Sequence, residues 1–194
     1  MKLGPTTGAG TVAYNEARMR ELILYFARAQ QDDDTFGRVK LAKLLYYADM
    51  EAYIRLGAPI TGATYMKRRE GPAAREFVPL RDRMLALGEA AEVEIAYPNG
   101  YVGKKLEARR DTDLSVFTAQ EREIIDAVTE EYRGWSATRI SQKSHDEVGW
   151  LTVAMDDAIP YQRYYVAPKM TEEELVAAEA VVRTLNLRVP ANVA

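Results

Sequence analysis

One helix candidate constrains this chain more than any other feature. Over residues 38–56 the apolar side chains do not keep to one face. Val39, Leu41, Leu44, Leu45, Ala48, Ala52 and Leu56 line one broad side, while Tyr46, Tyr47, Met50, Tyr53 and Ile54 spread apolar surface around much of the rest. A helix that is apolar on most sides has to be enclosed, so this segment is expected at the centre of its domain. The remaining polarity is narrow: Lys40, Lys43 and Tyr47 lie three and four residues apart and share a stripe. Gly57 is placed to stop the helix in a left-handed turn, with Pro59 just beyond. Asp49, in the middle of this run, needs a partner, because an unpaired buried carboxylate is costly. A lysine or arginine, a backbone amide or a tyrosine hydroxyl would serve.

The flanking segments supply a shell. Residues 14–31 carry Met19, Leu22, Ile23 and Phe26 at helical spacing. Asp32, Asp33 and Asp34 then break the run and read as a solvated loop. Residues 63–69 read as a short strand closed by Gly71 and Pro72. Residues 73–87 read as a helix through Phe77, Leu80, Met84 and Leu87, with Pro79 demanding either a kink or a later start. Val93, Ile95 and Tyr97 alternate, and a turn over residues 98–100 leads to residues 101–108, which together predict a β-hairpin. Thr118 with Glu121 is a capping box for a helix with Ile124, Ile125, Val128 and Tyr132 inside, ended by Gly134. Residues 136–157 read as short helical pieces. Thr171 with Glu174 heads a further helix to about Leu187. The expected architecture is α+β and mostly α-helical: one compact domain over residues 14–187, a central buried helix, and a small antiparallel β-hairpin or sheet. Residues 1–13 read as a flexible lead-in and residues 188–194 as a tail.

The chemistry available is restricted. The chain has no cysteine and one histidine, His145. That excludes a thiolate zinc site, a cysteine nucleophile and a histidine metal pair within one chain. Ser144, His145 and Asp146 have the residue types of a catalytic triad, but adjacent side chains diverge and cannot converge as a triad must. The structural reading of His145 is a residue packed at a helix start and hydrogen-bonded locally. No cofactor or metal is expected, and the chain does not read as an enzyme. The formal net charge of −3 argues against a phosphate backbone as the main partner. Lys67, Arg68 and Arg69 form the densest basic cluster, and Lys104, Lys105, Arg109 and Arg110 lie near the hairpin. Convergence of the two groups would make a winged-helix-like nucleic-acid surface. No apolar run suits a signal peptide or a membrane span, so the cytoplasm is the expected location.

Two blocks of sequence carry a resemblance. Residues 40–49, Lys-Leu-Ala-Lys-Leu-Leu-Tyr-Tyr-Ala-Asp, are followed by Gly57, Pro59, Ile60 and Gly62, then Tyr65, then Gly71 and Pro72. Later, Ser144 and His145 lead to Trp150 and then to Ile159, Pro160 and Tyr161. In order and spacing, over about residues 14–166, this resembles the SocA-like, or Panacea, antitoxins of bacterial toxin–antitoxin systems. Leu44, Tyr47, Asp49, Gly57, Ile60, Gly62, Tyr65, Gly71, Pro72, Ser144, His145, Trp150, Ile159 and Tyr161 then read as a mainly structural signature.

The resemblance implies a function that composition does not show. The domain would be a recognition scaffold that neutralises a cognate protein toxin, encoded by a neighbouring gene, through direct binding. Delivery of the toxin to a cytosolic protease, with this chain as adaptor, is the variant. The chain departs from a common arrangement of the family in showing no helix-turn-helix ahead of the first block, which weakens an expectation of promoter binding. Tyrosines beside cations suit a protein interface. Tyr46, Tyr53, Tyr65, Lys67, Arg68 and Arg69 are therefore the expected toxin-binding residues, on the exposed side of the central helix and the strand after it.

Overall fold

The computed structural model describes residues 12–97, 100 and 102–164. The chain divides into units 1–164 and 165–194, and every described residue lies in the first. The helix expected after Thr171 and Glu174, and the domain end expected near Leu187, lie outside the described residues. Among the described residues, six α-helices and two antiparallel two-stranded sheets make a mostly helical α+β fold.

Helix α1 (Glu16–Ala29) starts where the Asn15 side chain accepts from the Arg18 amide. Helix α2 (Arg38–Leu56) ends at Gly57, whose φ of 80° is the left-handed stop that a glycine supplies without strain. α2 is central, as its composition requires. It packs against α1 and four later elements: helices α4 (Ala119–Glu131) and α5 (Ala137–His145), and strands β2 (Ala73–Ala74) and β4 (Val102–Ala108). Leu41, Leu44, Leu45, Tyr46, Tyr47, Ala48 and Met50 are all buried.

Strand β1 (Tyr65–Met66) pairs with β2 and is shorter than the segment expected over residues 63–69. Its other side is taken by the chain returning from the far end of the unit. Met66 bridges Ala158, the Lys67 amide donates to Asp157 O at 2.8 Å, and the Ile159 amide donates to Tyr65 O at 2.7 Å. Residues 73–74 are strand and not helix, so α3 (Phe77–Ala86) starts later than residue 73. This resolves Pro79: it sits in the first turn of α3, where a missing N–H breaks no helical bond. The hairpin forms from β3 (Ala90–Ala96) and β4 in one unbroken register, with Val93 opposite Lys105 and Glu94 opposite Lys104. The capping box at Thr118 and Glu121 starts α4 with both reciprocal bonds made. α5 and a single-turn α6 (Val148–Leu151) are the short helical pieces expected over residues 136–157.

The polar stripe of α2 is covered by protein as well, and one member of the acidic triplet departs from the solvated loop expected of it. Lys40 is fully buried, and Lys43 is 1% exposed. Asp33 is also buried, while Asp32 and Asp34 are exposed, so only the outer two members of the acidic triplet are solvated. Asp33 Oδ2 accepts from Lys40 Nζ at 2.7 Å and from the Gly134 amide at 2.8 Å, and Oδ1 accepts from the Thr35 amide at 2.8 Å. One carboxylate thus ties the α1–α2 loop to α2 and to the turn before α5.

Burial alone would raise the Asp33 carboxyl, but bonds from Lys40, Thr35 and Gly134 hold it down to about 2. Its stabilising contribution is therefore present above its ordinary value of about 4 and is lost as pH falls through the folded value. Asp33→Asn keeps the shape, removes the charge and leaves the Lys40 ammonium uncompensated. The expected loss at neutral pH is about 3 kcal/mol. Urea denaturation over a pH series should show that loss shrinking as the wild type is acidified through this window.

Candidate functional site

Several of the signature residues meet inside the molecule. Asp49 is fully buried on α2. Its Oδ1 accepts from the Thr61 amide at 2.6 Å, and its Oδ2 is bonded to the Thr61 hydroxyl. The Tyr65 hydroxyl lies 2.8 Å from Oδ2, and the Tyr161 hydroxyl 3.4 Å from it. A backbone amide and tyrosine hydroxyls therefore satisfy Asp49, two of the partner types its position demands. The Tyr65 hydroxyl is also 2.7 Å from Leu45 O. One phenolic proton cannot serve both acceptors. If Oδ2 carries a proton, it donates to Tyr65 while Tyr65 donates to Leu45 O, and every group is satisfied. Burial raises the Asp49 carboxyl and outweighs the bonds from Thr61, Tyr65 and Tyr161 that lower it, which agrees with that arrangement.

A second meeting point lies on the same helix. Lys43 Nζ donates to Pro72 O at 2.9 Å, and among the described residues no carboxylate lies within ion-pair distance of it. Burial lowers its ammonium to about 7, with distant Glu70 and Glu147 offsetting part of the effect. Gly71 packs directly on Lys43 and on Ser144, at a φ of 92°. A Cβ there would collide with Ser144 Oγ and lie 2.8 Å from Lys43 Cε. Gly71 and Pro72 from the first block and Ser144 from the second are thus locked together around a buried lysine. Tyrosines fill the surrounding space. Tyr46 meets Tyr65 edge-on at 5.1 Å and Tyr164 at 5.6 Å, and Tyr47 stacks on Tyr132 at 4.6 Å. The Tyr46 hydroxyl donates to Glu147 Oε2 at 2.6 Å.

The sequence reading missed Lys43, Thr61 and Glu147 as members of this constellation. A lysine inside an apolar run was the available signal for Lys43. Nothing local marks Glu147, whose partners come from a helix a hundred residues earlier.

His145 is not at a helix start. It closes α5, and its ring stacks on Trp150 at 4.1 Å. Its Nε2 is buried with no hydrogen-bond partner among the described residues. Lys67 Nζ lies 4.0 Å from the Trp150 ring centre and also donates to Val153 O at 3.0 Å. Among the described residues no group of three or more His, Cys, Asp or Glu is placed to hold a metal ion.

The expected toxin-binding residues divide sharply. Tyr46 is fully buried and Tyr65 is 1% exposed, so neither can touch a partner; their phenols belong to the core network. Tyr53 is half-buried against Tyr161, Lys67 is half-buried, and Arg68 and Arg69 are exposed. The basic residues of the hairpin are engaged elsewhere. Lys104 pairs with Glu92 at 2.8 Å, Arg109 with Glu107 at 3.2 Å, and Arg110 with Glu21 at 2.6 Å. Lys105 donates to Gln31 O at 3.0 Å. These cations are held by their own acidic or carbonyl neighbours.

The family model described as antitoxin SocA-like, Panacea domain, matches residues 41–151. No curated protein and no solved structure matches the chain. Among the described residues no helix is long and apolar enough to cross a membrane.

Two substitutions test the interior. Gly71→Ala adds a Cβ at a left-handed position against Ser144 and Lys43, and is expected to cost about 3 kcal/mol. Asp49→Asn keeps an acceptor for the Thr61 amide and a donor toward Tyr65, so it should cost only about 1 kcal/mol, whereas Asp49→Leu strands the Thr61 amide and should cost about 3 kcal/mol. Equal losses for Asn and Leu would mean that the ionised carboxylate, and not the acid, is the bonded form.

Proposed function

The chain belongs to the antitoxin SocA-like, Panacea domain family, and from that premise we propose that it neutralises a cognate protein toxin by binding it directly. The observation that supports this reading is where the signature residues lie. Asp49, Tyr65, Gly71, Pro72, Ser144 and Tyr161 are buried and occupied with one another. They define a scaffold, and they leave recognition to side chains outside the signature.

The partner is a toxin encoded by a neighbouring gene. A stable complex of this kind buries on the order of 1,600 Å² in total. Tyr53, Lys67, Arg68 and Arg69 are the binding residues retained from the sequence reading. Lys67 and Arg68 bond to the segment of residues 150–156, which carries exposed Leu151 and Met155. An aromatic and arginine-rich patch with apolar neighbours has the composition of a protein interface.

Co-expression with the adjacent gene, scoring growth and co-purification together, tests the reading. A neighbour that is toxic alone, harmless with this chain and eluting with it as one complex is the expected outcome. Rescue with no lasting complex and a shortened toxin half-life would support the adaptor mechanism instead. A harmless neighbour that does not bind would overturn the proposal for this chain. Within an intact complex, Arg69→Glu is expected to weaken binding on the order of tenfold. Unchanged affinity would move the binding face elsewhere and leave neutralisation standing.

A further inference from the structure

We propose that the outer edge of β3 is a docking strip for an extended basic segment of the partner protein, which joins the hairpin as a third strand. The inference rests on the toxin-binding reading above. The bonding pattern of the hairpin carries it. In an antiparallel pair, opposite residues alternate between exchanging both main-chain bonds and exchanging none. The Arg109 amide donates to Glu89 O at 2.8 Å, one step beyond the pair of Ala90 and Ala108, so that pair exchanges none. The bonded pairs are then Ala91 with Glu107, Val93 with Lys105 and Ile95 with Gly103. The N–H and C=O groups of Glu92, Glu94 and Ala96 point away from β4, and no hydrogen bond reaches them among the described residues. Glu94 and Ala96 are also exposed.

The two edges of the hairpin differ. On β4 the outward groups face the protein: α1 and α2 pack on that strand, and Lys104 O lies 3.5 Å from where a Cβ on Gly37 would stand. On β3, α3 is the helix that packs, and Glu94 and Ala96 stand clear of it in solvent. Edge strands are commonly blunted by proline, lysine, a bulge or short length. β3 runs seven residues in unbroken register and has neither proline nor lysine. Its remaining protection is charge, and that charge is a recognition element. Glu92 pairs with Arg38 and with Lys104, which leaves Glu94, opposite Lys104 in the register, with no ion pair among the described residues.

A recess on the same hairpin gives the partner its chemistry. Ile95, Ala96, Tyr97 and Lys105 enclose about 440 Å³ together with Asp33 and Asp34. Asp33 is bonded to Lys40, and Lys105 to Gln31 O. Asp34 is exposed and forms no ion pair among the described residues. A lysine or arginine on the added strand would lay its apolar stem on Ile95 and Tyr97 and bring its cation to Asp34. Main-chain bonds supply affinity in this mode of binding, and the recess beside the strand selects the side chain.

The test is amide exchange of the full chain, free and in complex with the toxin, together with affinities of three variants. Exchange at Glu94 and Ala96 is expected to slow in the complex. Glu94→Pro removes an outward amide without touching a bond of the hairpin, so its thermal unfolding should stay close to wild type while toxin affinity falls about a hundredfold. Glu94→Ala keeps the amide and should weaken binding less than about fivefold. Asp34→Lys should weaken it about tenfold. A wild type that binds no toxin overturns this proposal together with the reading it rests on. A firm complex in which Glu94 and Ala96 exchange as fast as in the free chain overturns the docking strip alone, and this holds whether or not Glu94→Pro folds. A folded Glu94→Pro that binds as tightly as wild type does the same. Protection of these amides in the free chain that rises with its concentration would make a second copy the occupant and overturn the proposal as well.

Discussion

A carboxyl buried at the middle of α2 joins three segments that are distant in sequence. Asp49 holds Thr61 in the loop after its own helix, Tyr65 on β1, and Tyr161 in the returning connection. Each is a donor or acceptor withdrawn from water, and the two tyrosines extend the network to Leu45 O and Ala63 O. A group of this kind is worth little when complete and costs about 1–3 kcal/mol for every member left without its partner. The loop, the strand and the connection therefore hold position together or not at all. This explains why the return segment lies against β1: Ile159 bonds to Tyr65 O two residues before Tyr161 reaches Asp49. The polar centre decides which of many apolar packings of α2 is adopted.

Much of this was readable in the residues, and what escaped did so for definite reasons. The centrality of α2 followed from its apolar girth, and the need for partners at Asp49 from the cost of burying a carboxyl. The hairpin followed from alternation and its turn, and α4 from its capping box. The start of α3 was ambiguous because Pro79 is compatible with a first turn or with a kink; pairing of residues 73–74 with β1 removes the ambiguity. The burial of Lys40 and Lys43 is not legible in their spacing, because periodicity finds the face of a helix that must be covered, and a helix covered on all sides has no face to find. Tyr46 and Tyr65 read as interface residues from their type, since tyrosine suits an interface and a buried polar pocket equally well. Glu147 was invisible because its partners are set by tertiary packing alone.

Three buried carboxyls show that depth does not fix ionisation. Asp33 receives an ammonium and two backbone amides and is held low. Asp49 receives one amide, a threonine hydroxyl and phenols that have other acceptors, and it is raised. Glu147 receives one phenol and is raised to about 7. The ordering follows the supply of donors that have nowhere else to bond, which is the quantity that desolvation makes decisive. Lys43 completes the pattern from the other sign: one carbonyl for three N–H donors, and an ammonium pushed down to about 7.

The placement of these groups bears on how such a domain could serve recognition. Residues that stabilise a fold through buried bonds cannot be exchanged singly without leaving a partner stranded, so they are confined to a narrow set of types. Exposed residues such as Arg68, Arg69, Leu151 and Met155 carry no such obligation, and substitutions at exposed positions away from special features shift stability by only about 0.5 kcal/mol. A chain built this way can change what it binds while keeping how it folds. The buried phenols, lysines and carboxyls around α2 impose the constraint that frees the surface, and a toxin-binding face on this domain would be free to vary for that physical reason.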